Sequence, residues 1–156
     1  MIKLTRIDHR LLHGQVVYGW SKTLGIDCIL IANDEVSKDE IRMAALKMAK
    51  PSDCKLVIKN MEDSINAINN GITDKYNLLV ILETIEDAYR ISEKVDQIKY
   101  INFGGTLKKE NSKQISKAIF VSNHDIELIK KMNEKNIQME VQMIPEDTPI
   151  NIMSLI

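Results

Sequence analysis

The residues best suited to chemistry stand together near the start of the chain, in Asp8-His9-Arg10-Leu11-Leu12-His13-Gly14-Gln15. His13 follows Arg10 by three positions and precedes a glycine. The stretch before the group, Ile2–Ile7, reads as a strand, and the stretch after it, VVYGWSKTLG, reads as a helix. A strand-to-helix loop of this kind offers unpaired backbone N–H groups and the positive end of a helix dipole to an anion. Arg10 adds a planar fork of donors that matches phosphate geometry. The group therefore suits a phosphoryl group carried on His13. A histidine accepts a phosphoryl group only as the neutral ring, with a lone pair on the attacking nitrogen. An unperturbed imidazole, with a pKa of about 6.5, is mostly in that form at pH 7. After transfer, Arg10 and the helix end stabilise the new negative charge. Gly14 lets the backbone approach the phosphate with no side chain in the way. Asp8 either holds Arg10 in its fork geometry or orients the imidazole by accepting its other N–H. The transferring group is largely metaphosphate-like, so positioning and charge complementarity carry the catalysis and no metal is required. The other two histidines are read as structural. His9 covers the loop, and His124 occupies the first turn of a helix, in Ser-Asn-His-Asp, where polar residues are expected.

The elements that must position this loop alternate along the whole chain. Strands are expected at Ile2–Ile7, Cys28–Ala32, Lys55–Ile58, Leu78–Leu82, Lys99–Asn102, Ala118–Val121 and Gln138–Met143. Several are apolar throughout, as strands buried on both faces should be. Helices fit between them. Ser37 and Glu40 form a capping box ahead of IRMAALKMAK, in which Ile41, Ala44, Ala45 and Met48 share a face, and Pro51 ends that helix. Asn60 with Asp63, Thr84 and Ser122 open three more; the first of these stops near Gly71, and Ile126, Ile129, Lys130 and Met132 recur at helical spacing in the last. Pro145 and Pro149 frame a C-terminal turn. The alternation predicts an α/β fold in one domain, residues 1–156, with a mostly parallel central sheet of about seven strands and helices on both faces.

Composition limits the function further. The chain has 156 residues, 44% apolar and 28% charged, with a formal net charge of -1. No global basic field invites nucleic acid. No apolar run reaches the ~20 residues needed to cross a bilayer. The N-terminus is charged by residue 3 and lacks a signal peptide's apolar core, so a cytoplasmic protein is expected. Cys28 and Cys54 lie in apolar runs and read as buried, reduced thiols. Neither forms part of a Cys-x-x-Cys or Cys/His cluster, so a zinc site is not expected. Neither a Walker A sequence nor Gly-x-Gly-x-x-Gly occurs, which argues against ATP or NAD, and no cofactor is expected.

The motif Arg6-Ile7-Asp8-His9-Arg10-Leu11-Leu12-His13-Gly14-Gln15-Val16, with Trp20 after it, resembles the signature of mannose/fructose/sorbose-type IIB proteins of the sugar phosphotransferase system (PTS). The likeness continues in Ala32-Asn33-Asp34-Glu35, Ile101-Asn102-Phe103-Gly104-Gly105 and Val141-Gln142-Met143-Ile144-Pro145, and so covers the whole chain in register. One departure stands out: His9 occupies a position that is commonly acidic. The resemblance implies a cytoplasmic phosphotransferase associated with a membrane permease. It takes a phosphoryl group from a histidine of a IIA partner onto His13 and passes it to a sugar entering through IIC and IID membrane subunits. It also implies that the first strand lies between the fourth and fifth, with Glu83-Thr84 and Gly104-Gly105-Thr106 flanking His13. Arg10 is then the catalytic arginine of the loop. Arg6, Asp8, Gly14, Gln15, Thr84, Gly104 and Gly105 are expected to bind the phosphate or hold the loop. Leu11, Leu12 and Phe103 are expected to form a shallow apolar docking patch, with Lys108 and Lys109 as a basic rim or a solvated turn. The loops are too short for a lid or an enclosed sugar cavity.

Two other functions compete. A histidine phosphatase would want an arginine and a histidine adjacent, with a second catalytic histidine; here two leucines separate Arg10 from His13. A receiver-type regulatory domain needs an acidic pair after its first strand and an aspartate after its third, which instead ends in Lys59-Asn60. A cysteine-dependent IIB class is disfavoured because Cys28 and Cys54 begin their strands rather than end them.

Overall fold

The computed structural model describes residues 1–156. In chain order the elements are β1 (Ile2–Asp8), α1 (Gly14–Leu24), β2 (Cys28–Ala32), α2 (Glu40–Ala49), β3 (Lys55–Lys59), α3 (Met61–Asn69), β4 (Leu78–Leu82), α4 (Ile85–Lys94), β5 (Tyr100–Gly105), β6 (Lys113–Ser116), β7 (Ile119–Val121), α5 (Asn123–Glu134), β8 (Gln138–Val141) and β9 (Ile150–Asn151). Seven strands form one sheet in the order β3-β2-β4-β1-β5-β8-β9, parallel except for β9. β1 therefore lies between β4 and β5, as expected. The β-rich stretch at Ala118–Val121 does not join this sheet. It becomes β7 and pairs only with β6 in an antiparallel hairpin. The seventh sheet strand is instead the short β9, which returns after the Pro145–Pro149 turn to cover the β8 edge.

The helices divide between the two faces because alternate side chains of each strand point opposite ways. Ile29 and Ile31 of β2 join Val17 and Trp20 of α1 and Leu46 of α2 in one apolar cluster. Cys28, Leu30 and Ala32 join α3, α4 and α5 in the other. Both cysteines are buried and unpaired. The expected starts of α3, α4 and α5 all form: Asn60, Thr84 and Ser122 each accept a bond from the backbone N–H three residues on, and Ser122 with Asp125 completes a capping box.

α2 departs from expectation in two ways. Its cap is Asp39, whose carboxylate accepts from Arg42 N–H, while Ser37 falls in a 3-10 turn (Val36–Lys38) and donates to the Asp34 carbonyl. The stripe expected to face inward is outside, with Ile41 86% and Met48 88% exposed. The sequence carries a second apolar stripe, Met43-Leu46-Ala49, and this is the one turned toward the sheet. An Arg42–Glu83 ion pair at 2.7 Å draws the same side of the helix inward.

Candidate functional site

β1 delivers the loop, and its alternation decides what lies beneath. Leu4, Arg6 and Asp8 point to the α1 side, while Ile7 joins the opposite cluster. Arg6 is 1% exposed, unusual for an arginine and tolerable only with partners. Its Nη1 donates to Asn102 Oδ1 at 2.5 Å and to the Gln142 carbonyl at 3.2 Å, and its Nη2 donates to Asp8 Oδ2 at 3.3 Å. The guanidinium lies 5.6 Å from the centre of the Trp20 ring. Trp20 is fixed in turn by its Nε1, which donates to the Met143 carbonyl at 3.0 Å. Gly104 makes room for this group: a Cβ there would fall 2.2 Å from Arg6 Cζ. Burial lowers the pKa of Arg6 from its ordinary value, and the Asp8 charge works against that shift.

Asp8 is equally buried and serves both arginines. It accepts from the Arg10 backbone N–H at 3.0 Å, from Arg10 Nε at 3.0 Å and from Arg10 Nη2 at 3.1 Å. Burial by itself would raise the Asp8 pKa. The Arg10 hydrogen bonds and the two guanidinium charges outweigh it and hold the carboxyl below its ordinary value. Of the two roles open to Asp8, the one the structure shows is holding Arg10. Arg10 is partly exposed, and its Nη1 has no protein partner.

Beyond Arg10 the chain turns tightly. Leu11 N–H donates to the Asp8 carbonyl at 2.8 Å, and Leu11 takes a left-handed φ of 58°. A bulky residue adopts that region at a cost, offset here by burial of its side chain under α1. His13 is the N-cap of α1, in extended conformation, with its carbonyl accepting Val17 N–H at 3.1 Å. Its side chain makes no cap bond and is exposed. Gly14 and Gln15 are exposed in the first helical turn, where backbone N–H groups have no intrahelical acceptor. A Cβ on Gly14 would meet nothing within 4 Å, so the protein's own packing does not demand a glycine there.

The remaining expected residues fall as follows. Thr84 caps α4 by accepting Asp87 N–H at 3.0 Å. Gly104 and Gly105 do not follow the fifth strand but complete it. Gly105 pairs with Asp8, and its carbonyl accepts His9 N–H at 3.0 Å. Leu11, Leu12 and Phe103 form no surface patch, for all three are in the core. Lys108 and Lys109 are exposed, and His124 is bonded to Glu86 at 3.0 Å. The short loops enclose no cavity, yet they frame a crevice of about 350 Å³ at the carboxyl ends of β4, β1 and β5, beside Glu83, His9 and Thr106. Three supporting residues, Trp20, Asn102 and Gln142, are not among the expected site residues; they lie in separate stretches of the resemblance and converge on the Arg6 guanidinium.

The comparisons agree along the whole length. The family model described as the PTS sorbose subfamily IIB component matches residues 2–156. The chain is 28% identical to the sorbose-specific EIIB component of Klebsiella pneumoniae, covering 99% of this chain and 94% of that one. It is 30% identical to a probable phosphotransferase enzyme IIB component of Streptococcus pyogenes, covering 100% and 99%. The mannose-specific EIIAB component of Escherichia coli is also 30% identical, and there the chain spans 48% of the relative. The crystal structure of the IIBSor domain of the Klebsiella pneumoniae sorbose permease superimposes with a TM-score of 0.93 at 28% identity, covering 99% and 94%. These matches displace the phosphatase and receiver alternatives. The chain belongs to the sorbose subfamily of PTS IIB components.

Proposed function

We propose that this IIB component is a phosphocarrier that accepts a phosphoryl group on His13 and hands it to a sugar. The observation that carries the reading is the state of the loop. His13 stands exposed at a helix N-terminus with its ring unused, next to an Arg10 clamped by a buried carboxylate. A lone pair of the neutral ring attacks phosphorus, and the bond from phosphorus to the donor's imidazole nitrogen breaks, so the donor ring recovers its lone pair. In the second step a sugar hydroxyl oxygen attacks, the bond to His13 breaks, and the hydroxyl proton is released. Arg10 Nη1 and the first-turn N–H groups stabilise the equatorial oxygens throughout.

The donor is a IIA phosphohistidine. In the mannose-specific EIIAB relative, the name places IIA and IIB in one polypeptide, which supports a IIA partner here. The sugar arrives through IIC and IID subunits, with residues 1–156 working as one IIB domain on the cytoplasmic side of the permease. No helix is long and apolar enough to cross a membrane, in keeping with a peripheral place. The test is labelling by a cognate phosphorylated IIA, with the modified residue located by mass spectrometry under conditions that spare phosphohistidine. His13→Ala abolishes labelling, while His9→Ala and His124→Ala retain it. Normal labelling of His13→Ala would sink the proposal.

A further inference from the structure

We infer that the crevice between His9, the start of α4 and the β6–β7 hairpin binds a neutral polyhydroxylated ring, and that it excludes the phosphorylated form of the same ring. The identity of that ring as the acceptor sugar rests on the proposed function. The chemistry of the crevice stands by itself.

The crevice opens where three neighbouring central strands end, with Glu83 after β4, His9 after β1 and Thr106 after β5. Ligands of open parallel sheets bind beyond the carboxyl ends of the strands. A volume of about 350 Å³ lies within the usual range for small-molecule sites. Through His9 the crevice wall is the chain neighbour of Arg10, so a ring held here lies beside the loop that carries His13.

Glu86 gives one carboxylate oxygen to His124, and Asp125 gives one to Ser122 N–H at 3.0 Å. Each is thereby oriented, with its second oxygen unengaged. Thr84 Oγ1 accepts from Asp87 N–H and keeps its own proton to donate. Lys109 adds a further donor, and His9 Nδ1 is buried without a hydrogen-bond partner. Ile85, Leu107 and Phe120 supply the apolar part of the lining. A lining that mixes oriented acceptors and donors with apolar side chains matches a sugar ring, which has alternating hydroxyls and a C–H face.

Glu83 is offset by Arg42 at 2.7 Å. Glu86 and Asp125 remain against Lys109, so the crevice stays acidic. A phosphate monoester brings a charge of about −1.5 to −2 and is repelled. A carrier gains from this asymmetry, because the acceptor enters and the product leaves.

The test is titration of the whole protein with hexoses, amino sugars and their N-acetyl forms, followed by backbone amide NMR. At least one sugar should shift the amides of Thr84, Glu86, Thr106, Leu107 and Phe120 with a Kd of about 1 mM. Its phosphate should leave them in place. Glu86→Gln and Lys109→Ala should each weaken binding by about tenfold with the melting temperature retained. Two results overturn the inference: no shift with any sugar up to ~100 mM, or equal binding of the phosphate. If His13 labelling fails while these shifts appear, the proposed function falls and the crevice stands. If labelling succeeds and no sugar shifts these amides, the crevice falls alone.

Discussion

The β1–α1 loop has a buried foot and an exposed crown, and the two arginines that share Asp8 mark the boundary. Arg6, in the foot, is 1% exposed and gives both terminal nitrogens to protein acceptors. Arg10, in the crown, spends Nε and Nη2 on the same carboxylate and keeps Nη1 free. A single carboxylate thus turns one guanidinium into scaffold and positions the other for a ligand. A charge that must act on a transient partner gains from a fixed orientation, and burial alone would supply that at the loss of access. Stacking a half-free arginine on a buried one, whose two terminal nitrogens are both engaged, separates the two requirements. The foot is built from distant stretches of chain, Asn102, Gly104, Gln142 and Trp20, so the position of Arg10 is set by the whole sheet rather than by the loop.

The largest effect should come from breaking the foot without touching the crown. Gly104→Ala places a Cβ 2.2 Å from Arg6 Cζ, a distance that the guanidinium can relieve only by leaving its partners. Separating a buried ion pair costs about 3–5 kcal/mol, and urea denaturation should show a loss of that order. Gly14→Ala is the control in the crown. Its Cβ meets nothing within 4 Å, and alanine favours helix by up to ~1 kcal/mol over glycine, so stability should hold or rise slightly. Equal stability of Gly104→Ala and wild type would mean that Arg6 has another place to go and that the foot is not fixed.

The same contrast of inside and outside explains what the sequence made legible. Six of the seven sheet strands are legible as short β-rich runs, and β2 and β4 are apolar throughout, because a parallel strand covered on both faces has no polar side to confuse the pattern. β7 has the same composition as a core strand, and nothing local records that its only strand partner is β6. In α4, Ile85, Ala88 and Ile91 are all buried, and the flanking positions are polar, so one stripe alone can face inward. α2 offers two apolar stripes, and the one that faces the sheet lies on the side where Arg42 meets Glu83, forty-one residues further along the chain. Periodicity counts apolar residues and cannot choose between two such stripes. At the site, the motif brings forward the residues proposed for chemistry, but their supports are hidden for a related reason. Nothing in the sequence marks Arg6 as buried, because its partners, Asn102 and the Gln142 carbonyl, are brought to it only by β5 and the end of β8.

A smaller effect should follow from weakening the hinge between foot and crown. Asp8→Asn keeps the volume and one carbonyl acceptor but leaves two guanidinium groups without a counter-charge, at a cost of about 2–3 kcal/mol near neutral pH. The pH dependence distinguishes charge from shape. The Asp8 carboxyl is held below its ordinary value in the folded protein. The folded state therefore binds the proton less tightly than the unfolded chain, so the contribution of Asp8 is fully present above the ordinary carboxylate pKa of about 3.9. It is lost as pH falls from there through the lower folded value. The stability gap between wild type and Asp8→Asn should accordingly be constant from pH 7 to about 5 and close below ~4. A gap that stays constant down to pH 3 would show that Asp8 contributes geometry and not charge.

The smallest change in stability should come from the crown itself, with the effect appearing in rate. Lysine at position 10 keeps a positive charge but cannot reproduce the paired bonds from Nε and Nη2 to Asp8, at 3.0 and 3.1 Å, with a third nitrogen left over for phosphate. Its single ammonium must choose between the carboxylate and the ligand. If it stays on Asp8, the phosphoryl group loses its cation; if it turns outward, Asp8 loses half its counter-charge. Because Arg10 is partly exposed, the loss in stability should remain under ~1 kcal/mol. The loss in transfer from phosphorylated IIA should be at least about tenfold, equivalent to ~1.4 kcal/mol on the barrier. Quenched-flow labelling of Arg10→Lys, beside a melting curve of the same sample, separates the two quantities. Transfer at the wild-type rate would leave Arg10 with only the task of closing the loop onto Asp8. A stability loss as large as that of Asp8→Asn would mean that Arg10 belongs to the foot, and that the exposed part of the site begins at His13.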